Sequence, residues 1–319
     1  KEGVAIFMKL ARTADVVVEN YRPDVKFRLG IDYESLKRAN PRIILASISG
    51  FGQDGPYRDR PGFDQIAQGM GGFMSVTGLP GQGPVRAGTA IADVSAGLFA
   101  ALGIMTALLE REKSGEGQWV QSSLLMSQIA LLDFQAARYL MTGVPPGQAG
   151  NDHPTSMPTS AYRTKDGYMN VAATGDAMWR RLCQAIGRED MLENPDFKGE
   201  ANRSKNRAAL NAEINESLAA RTSAEWIEAL TAASVPCGPI YAIDKMFADP
   251  QVRHIGAAAS VKSAKLGQIR IVNQAVTLSR TPARLATAPP EIGEHTDEVL
   301  AELGYSRAEI ETLRRERII

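Results

Sequence analysis

Asp93 is an acidic residue whose surroundings could support chemistry. It sits in AGTAIADVSAG, with Gly88, Thr89 and Ala90 before it and Ser95, Ala96 and Gly97 after it. These small residues leave room for an extended substrate and let backbone amides come close. The long apolar run that follows makes Asp93 the opening of a helix, whose N-terminal dipole would stabilise an oxyanion formed there. A carboxylate in that position can attack an activated acyl group and form a mixed anhydride. The same residue type in the same place also describes an ordinary N-cap, and the local sequence leaves both readings open.

Other chemistries lose support. The three histidines, His153, His254 and His295, stand at no metal-ligand spacing, and no GxGxxG or GxxxxGK[ST] sequence occurs. No metal is therefore expected. The 36 basic and 36 acidic residues cancel, and no Lys/Arg cluster with interleaved aromatics marks a nucleic-acid surface. The longest apolar stretch, residues 98–109, is 12 residues and contains Gly103, against about 20 for a membrane span. It reads as a buried helix, with no membrane partner. Cys183 and Cys237 lie far apart with no CxxC spacing, which suggests neither a disulfide framework nor a zinc site and fits a reducing cytoplasm. The opening KEGVAIFMKLARTADVVVEN has no initiating Met and no signal region, and reads as the interior of a longer protein.

The elements that would position Asp93 follow from periodicity. Residues 3–12 have helical apolar spacing, ADVVVEN is a β-branched strand, SLKRANPR closes a helix at a Pro, and IILASISGFG is a second strand. Strands alternating with helices predict a parallel α/β sheet. PGFDQIAQGMGGFMSVT is helical until it dissolves at Gly71 and Gly72, and a Gly/Pro-rich loop leads to Gly88. The helix beginning DVSAG has Asp93 as its N-cap, is covered on several sides and stops at Gly115. Residues 120–141 read as another long helix, and PPGQAGNDHPTSMPTS as an interdomain linker. The expected divisions are 1–150 for a large domain, 151–255 for a small α+β domain, and 256–319 for a linker and return to the large domain. In the second unit, AYRTKDGYMNVAA reads as a hairpin, followed by helices at 176–187, 202–221 and 223–234.

Four segments, ENYRPDVKFRLG, SISGFGQDGPYRDRPGFD, PVRAGTAIADVSAGLFAALGIMTALLEREKSGEGQ and SVPCGPIYAIDKMFADPQV, closely resemble the class III CoA-transferases of the CaiB/BaiF type. The likeness runs to the C-terminal TPARLATAPPEIGEHTDEVLAELG, with the motifs in the family's order and spacing. It implies an open parallel sheet of Rossmann type with a smaller α+β domain, an interlocked homodimer, and a chain that lacks the family's first βα region.

By position the resemblance makes Asp93 the nucleophile. Coenzyme A, bound as an acyl-CoA substrate, would give an aspartyl anhydride, then an aspartyl-CoA thioester, before passing to an acceptor acid. Asp64 matches an acidic residue that lies near the nucleophile, where two carboxylates raise one another's pKa; a helix cap is its other reading. Phe63 stands where related α-methylacyl-CoA racemases carry a proton-transferring His, and a phenyl ring moves no proton. Asn20 and Arg28 match contacts to the nucleotide end of CoA, whose phosphates suit the guanidinium fork. Arg22 and Arg86 are weaker candidates: Arg22 also reads as a surface residue, and Arg86 as a residue that closes the loop before Asp93. A cation that the family carries near CoA corresponds to Pro61 here, so that contact is missing or supplied by Arg60. His153, in GNDHPTS, is a substrate-contact candidate or a solvated loop residue. The SLLMSQIALL run and the GNDHPTS loop are similar to relatives that use succinyl-CoA and dicarboxylates such as glutarate.

Overall fold

The computed structural model describes residues 1–319. They form two units, Lys1–Gly150 with Thr296–Ile319, and Asn151–His295. Residues 256–295 thus cluster with the second unit.

The first unit opens with α1 (Glu2–Ala11), β1 (Val16–Glu19), α2 (Pro23–Leu29), α3 (Tyr33–Ala39) and β2 (Ile44–Ser49). Pro23 at the start of α2 gives up an amide that has no helical partner there, and Gly30 ends α2 in the left-handed conformation at φ 68°. β2 pairs in parallel with β1, Val16 opposite Ile44. Its residues Ile44, Leu45 and Ala46 are wholly buried, as a central strand covered on both faces requires.

After β2 the chain makes a loop whose two ends touch. A Cβ on Gly50 would lie 2.9 Å from the Gly62 Cα, and one on Gly62 would lie 2.9 Å from the Gly50 Cα. Only two glycines permit that approach. It delivers Phe63 and Asp64 beside the C-terminal end of β2, where α4 (Asp64–Met70) begins, followed by α5 (Phe73–Val76).

α6 (Ile91–Ser114) packs on β2, the next strand β3 (Trp119–Ser123), α4 and the following α7 (Leu124–Ala130). Gly103 lies where α6 crosses β3: an added Cβ would meet Val120 Cγ1 at 2.7 Å. Arg111, buried near the far end of the helix, donates to the Arg42 carbonyl at 2.9 Å and to Asp15 Oδ1 at 2.8 Å. It ties α6 to the entry ends of β1 and β2. Gly115 then closes the helix at φ 77°.

Two expectations fail here. Residues 120–141 are not one helix: Trp119–Ser123 form the third parallel strand, Leu45 opposite Trp119, and α8 (Phe134–Thr142) follows α7 after a break at Asp133 with φ 46°. The strand is short and serine-rich, so its neighbours' helical spacing masks it; Ser123, which caps α7 by accepting from Met126 N–H at 3.2 Å, was the boundary signal. Nor is α6 a buried helix. Val94, Leu98, Leu102, Met105 and Leu109 form an outward stripe, each more than half exposed. With 24 residues, α6 is also long and apolar enough to cross a membrane by length and composition, which the 12-residue apolar run did not suggest.

The second unit contains β4 (Thr159–Thr164), β5 (Gly167–Ala172), helices α9 (Asp176–Ile186), α10 (Asp190–Glu193), α11 (Glu200–Lys205), α12 (Arg207–Leu218) and α13 (Ser223–Ala232), then β6 (Cys237–Pro239), α14 (Ile243–Ala248), α15 (Pro250–His254) and the β7 (Ala258–Ser263) and β8 (Gly267–Val272) hairpin. β4, β5 and β6 make an antiparallel sheet. Tyr162, Met169, Trp179, Leu210 and Trp226 build its core with their neighbours. α16 (Thr296–Glu302) and α17 (Arg307–Arg315) return to the first unit, where Lys9 lies over the Tyr305 ring at 3.8 Å.

Candidate active site

Asp93 is not the N-cap of α6. The helix starts at Ile91, its N-cap is Ala90, and no side chain of that residue caps it. The first three amides of a helix have no intrahelical acceptor. Ile91 N–H turns back to the Thr89 carbonyl at 2.9 Å, and Ala92 N–H donates to Asp64 Oδ1 at 2.9 Å. Asp93 is the third residue, exposed, in the turn where the helix dipole is most positive.

Asp64 is therefore a cap, though not for its own helix. It is 8 % exposed and accepts three hydrogen bonds: from Ala92 N–H, from Gln68 Nε2 at 2.7 Å, and from Arg86 Nη2 at 3.3 Å. Capping α6 brings it beside Asp93. Partial burial of the Asp93 carboxyl, and secondly the negative charge of Asp64, raise the Asp93 pKa above the ordinary carboxylate value of 3.8. Both causes disfavour the charged form, which keeps the carboxylate basic relative to a solvated one.

Gln68 was not singled out from sequence. Its amide is fully buried one turn after Asp64; Nε2 also donates to the Thr89 carbonyl at 3.3 Å, and Oε1 accepts from Ala87 N–H at 2.9 Å. The available signal was the D-x-x-x-Q spacing in DQIAQ, which puts the two side chains on one helix face. Arg86 adds a bond to the Thr89 carbonyl at 3.4 Å, so it closes the loop before Asp93, the alternative role expected for it. Phe63 precedes α4 and is 77 % exposed. It offers no proton-transfer group.

Asn20, Arg22 and Arg28 gather where β1 ends and α2 runs, and all three are exposed. Arg22 pairs loosely with Asp24 at 3.5 Å. Beneath them lies a buried charge that sequence reasoning missed. Lys26 is wholly inaccessible, with Nζ 3.2 Å from Glu19 Oε1 and hydrogen-bonded to Gln53 Oε1. Glu19 Oε2 in turn accepts from Tyr21 N–H at 2.9 Å. The cluster fastens the end of β1, α2 and the loop after β2 to one another. Arg60 is exposed, with its guanidinium stacked 3.8 Å from the Tyr57 ring centroid. His153 belongs to the second unit, where Nδ1 accepts from Ser156 N–H at 3.0 Å and shapes the 153–156 turn.

A cleft of about 470 Å3 opens at the C-terminal end of β3, lined among others by Gly52, Phe99, Ser123 and Ser127. It takes in a residue of α6 two turns beyond Asp93, while Asp93 itself is not in its wall. Ligands of open parallel sheets bind outside the C-terminal strand ends, and Asn20, Gly52 and Ser123 all lie on that edge.

The profile of CoA-transferase family III matches residues 1–296. This chain belongs to that family. Among relatives of the transferase, the succinate–glutarate CoA-transferase of Agrobacterium fabrum is 40 % identical over 306 residues, covering 95 % of this chain and 76 % of the relative. The human succinyl-CoA:glutarate CoA-transferase is 34 % identical over 302 residues, covering 95 % of this chain and 69 % of the relative. Among solved structures, a CaiB/BaiF family protein from Brucella suis superposes with a TM-score of 0.84 at 34 % identity, covering 95 % of this chain and 79 % of that one. The transferase thus has the mixed α/β fold with a parallel sheet that the resemblance implied, and CoA thioesters are its substrates.

Proposed function

We propose that the transferase moves CoA from succinyl-CoA to a small dicarboxylic acid such as glutarate, with Asp93 as the nucleophile. The observation that carries this reading is the position of Asp93 in the first turn of α6 beside the buried Asp64 carboxylate, where partial burial and then that neighbouring charge raise its pKa. The names of the relatives support the donor and the acceptor class.

A carboxylate oxygen of Asp93 attacks the thioester carbonyl, the C–S bond breaks, and CoA leaves as the thiolate with a mixed anhydride left on Asp93. The thiolate attacks the aspartyl carbon of that anhydride, forming the aspartyl-CoA thioester and releasing the donor as a carboxylate. The acceptor carboxylate attacks the same carbon and expels the thiolate, giving a second anhydride. Attack of the thiolate on the acceptor carbonyl forms the new acyl-CoA and restores Asp93. No net proton or electron moves. Each tetrahedral intermediate on the aspartyl carbon places its oxyanion in the field of the α6 N-terminus. Asn20 and Arg28 are the groups proposed for the nucleotide end of CoA, where an exposed guanidinium can form paired bonds to phosphate.

The anhydride and thioester need shelter from water, which the exposed Asp93 of a single chain does not have. The outward apolar stripe of α6, with Leu140 at 82 % and Met141 at 86 % exposure on α8, is a surface that a second copy would cover. A homodimer is therefore part of the proposal.

The deciding experiment incubates the enzyme with succinyl-CoA, quenches with hydroxylamine and maps the modified peptide by mass spectrometry. A hydroxamate on Asp93 is expected. Intact turnover with no modification there would refute the mechanism, and transfer confined to monocarboxylic acceptors would refute the substrate class.

A further inference from the structure

Asp93 takes part in four substitutions in each proposed cycle, once as attacking oxygen, twice through its attacked carbon and once as leaving group, so its placement has to persist through changes in its own charge and bulk. What holds its helix turn is not local. The side chain of Gln68, 25 residues earlier in the chain and wholly buried, binds the segment that enters α6 at two points: Oε1 takes Ala87 N–H at 2.9 Å and Nε2 gives to the Thr89 carbonyl at 3.3 Å. The same nitrogen gives to Asp64 Oδ2 at 2.7 Å, while the other oxygen of Asp64 holds Ala92 N–H.

One amide thus fixes both the peptide before Asp93 and the carboxylate that caps its helix. The amide cannot turn over, because one end faces a donor and the other faces two acceptors. Arg86 reaches two of the same acceptors, but it is half exposed and its bonds are longer, at 3.3 and 3.4 Å. It cannot replace a buried amide.

We propose that Gln68 is the positioning residue of the transfer reaction, holding the 86–89 segment and Asp64 so that Asp93 meets the thioester carbonyl in line. This rests on Asp93 being the nucleophile, as argued above. Gln68 acts through its two partners and touches neither substrate. Displacements of about 1 Å at a reacting group cost on the order of 100-fold in rate. Removing the amide therefore slows the chemical steps and leaves recognition of the remote nucleotide end of CoA intact.

The test compares Gln68→Leu and Gln68→Glu with the parent enzyme, using succinyl-CoA with hydroxylamine trapping in single turnover, and glutarate as acceptor in steady state. Parent labelling at Asp93 is measured first; its absence overturns the nucleophile assignment and is thereby told apart from failure of the Gln68 proposal. With the parent labelled, Gln68→Leu is expected to lower both the labelling rate and kcat by about 10- to 100-fold, with KM for succinyl-CoA within about twofold. Gln68→Glu supplies a signature that a general packing defect lacks. The introduced carboxyl keeps the acceptor for Ala87 N–H and sets an oxygen against Asp64, with Arg86 as the neighbouring cation and Asp93 beyond. Only its protonated form can donate to Asp64, so its activity relative to parent should rise as pH falls. Rates within about twofold of parent for Gln68→Leu overturn the proposal. Should Gln68→Leu fail to fold, Gln68→Glu decides: a relative activity that rises toward acid supports the proposal, and a pH profile parallel to the parent overturns it.

Discussion

Replacing Asp64 by Asn tests whether a side chain on α4 sets the start of α6. The change is isosteric and leaves one oxygen for Ala92 N–H, but the amide nitrogen takes the place of the oxygen that Gln68 Nε2 reaches at 2.7 Å. Two donors then face each other, and Gln68 cannot rotate away because its own oxygen holds Ala87 N–H. Loss of one bond to a charged acceptor costs about 1.5–3 kcal/mol. Turning the Ala92 bond from charged to neutral roughly halves it, about 0.5–1 kcal/mol more. The half-exposed Arg86 contributes about nothing. The sum, about 2–4 kcal/mol, should appear as local opening of the α6 N-terminus. Native-state hydrogen exchange at the Ala92 and Val94 amides should speed up by about 30- to 1,000-fold, while amides of the second-unit core such as Tyr162 keep their protection. Protection of Ala92 within about threefold of the parent would show that α6 starts where it does without Asp64.

Asp93→Asn should abolish hydroxylamine trapping and turnover and, at neutral pH, stabilise the fold. A raised pKa means that folding disfavours the ionised form, a cost fully present above the folded pKa and absent below the unfolded value near 3.8, so the stability advantage over parent should shrink as pH is lowered through that window; denaturant melts at several pH values check it. Lys26→Met should destabilise the first unit by about 3–5 kcal/mol, because Glu19 is left as a buried unpaired charge, and adding Glu19→Gln should recover much of the loss; a double-mutant cycle in urea measures it. Leu98→Arg with Leu102→Arg, on the exposed stripe of α6, should shift sedimentation of the proposed homodimer to monomer and lower activity. Unchanged sedimentation would remove α6 from the interface.

What the sequence disclosed follows the range of the forces involved. β1 and β2 were legible because fully covered parallel strands need continuous β-branched and apolar runs, and α6 ended where Gly115 supplies the left-handed turn. The start of α6 was placed three residues late because its cap comes from Asp64, and no local pattern encodes a partner 28 residues away. β3 was absorbed into a helix because Val120 to Ser123 carry one apolar residue and set no period of their own, so only pairing with β2 marks the strand. The outward face of α6 was hidden for a related reason: composition reports that a side chain is apolar, and the rest of the structure determines what covers it. At the site, Asp93 was singled out by its place in the family motif AGTAIADVSAG, whereas Gln68 and Lys26 act through burial and distant partners and look like ordinary helix residues.

The contact between Gly50 and Gly62 separates what lies between them from what lies beyond. Because the two backbones meet, residues 51–61 form a closed excursion; Gln53 is tied to the buried Lys26, but lengthening or exchanging the outer part, 54–61, adds only a slowly growing closure entropy without moving β2 or Asp64. Evolution could vary this cassette independently of Asp64 and Asp93, with Tyr57, Arg58 and Arg60 as its contents here. The two glycines are the hinge pins of that independence: a methyl group on either would push the excursion and the cap of α6 apart, coupling changes that the present arrangement keeps separate.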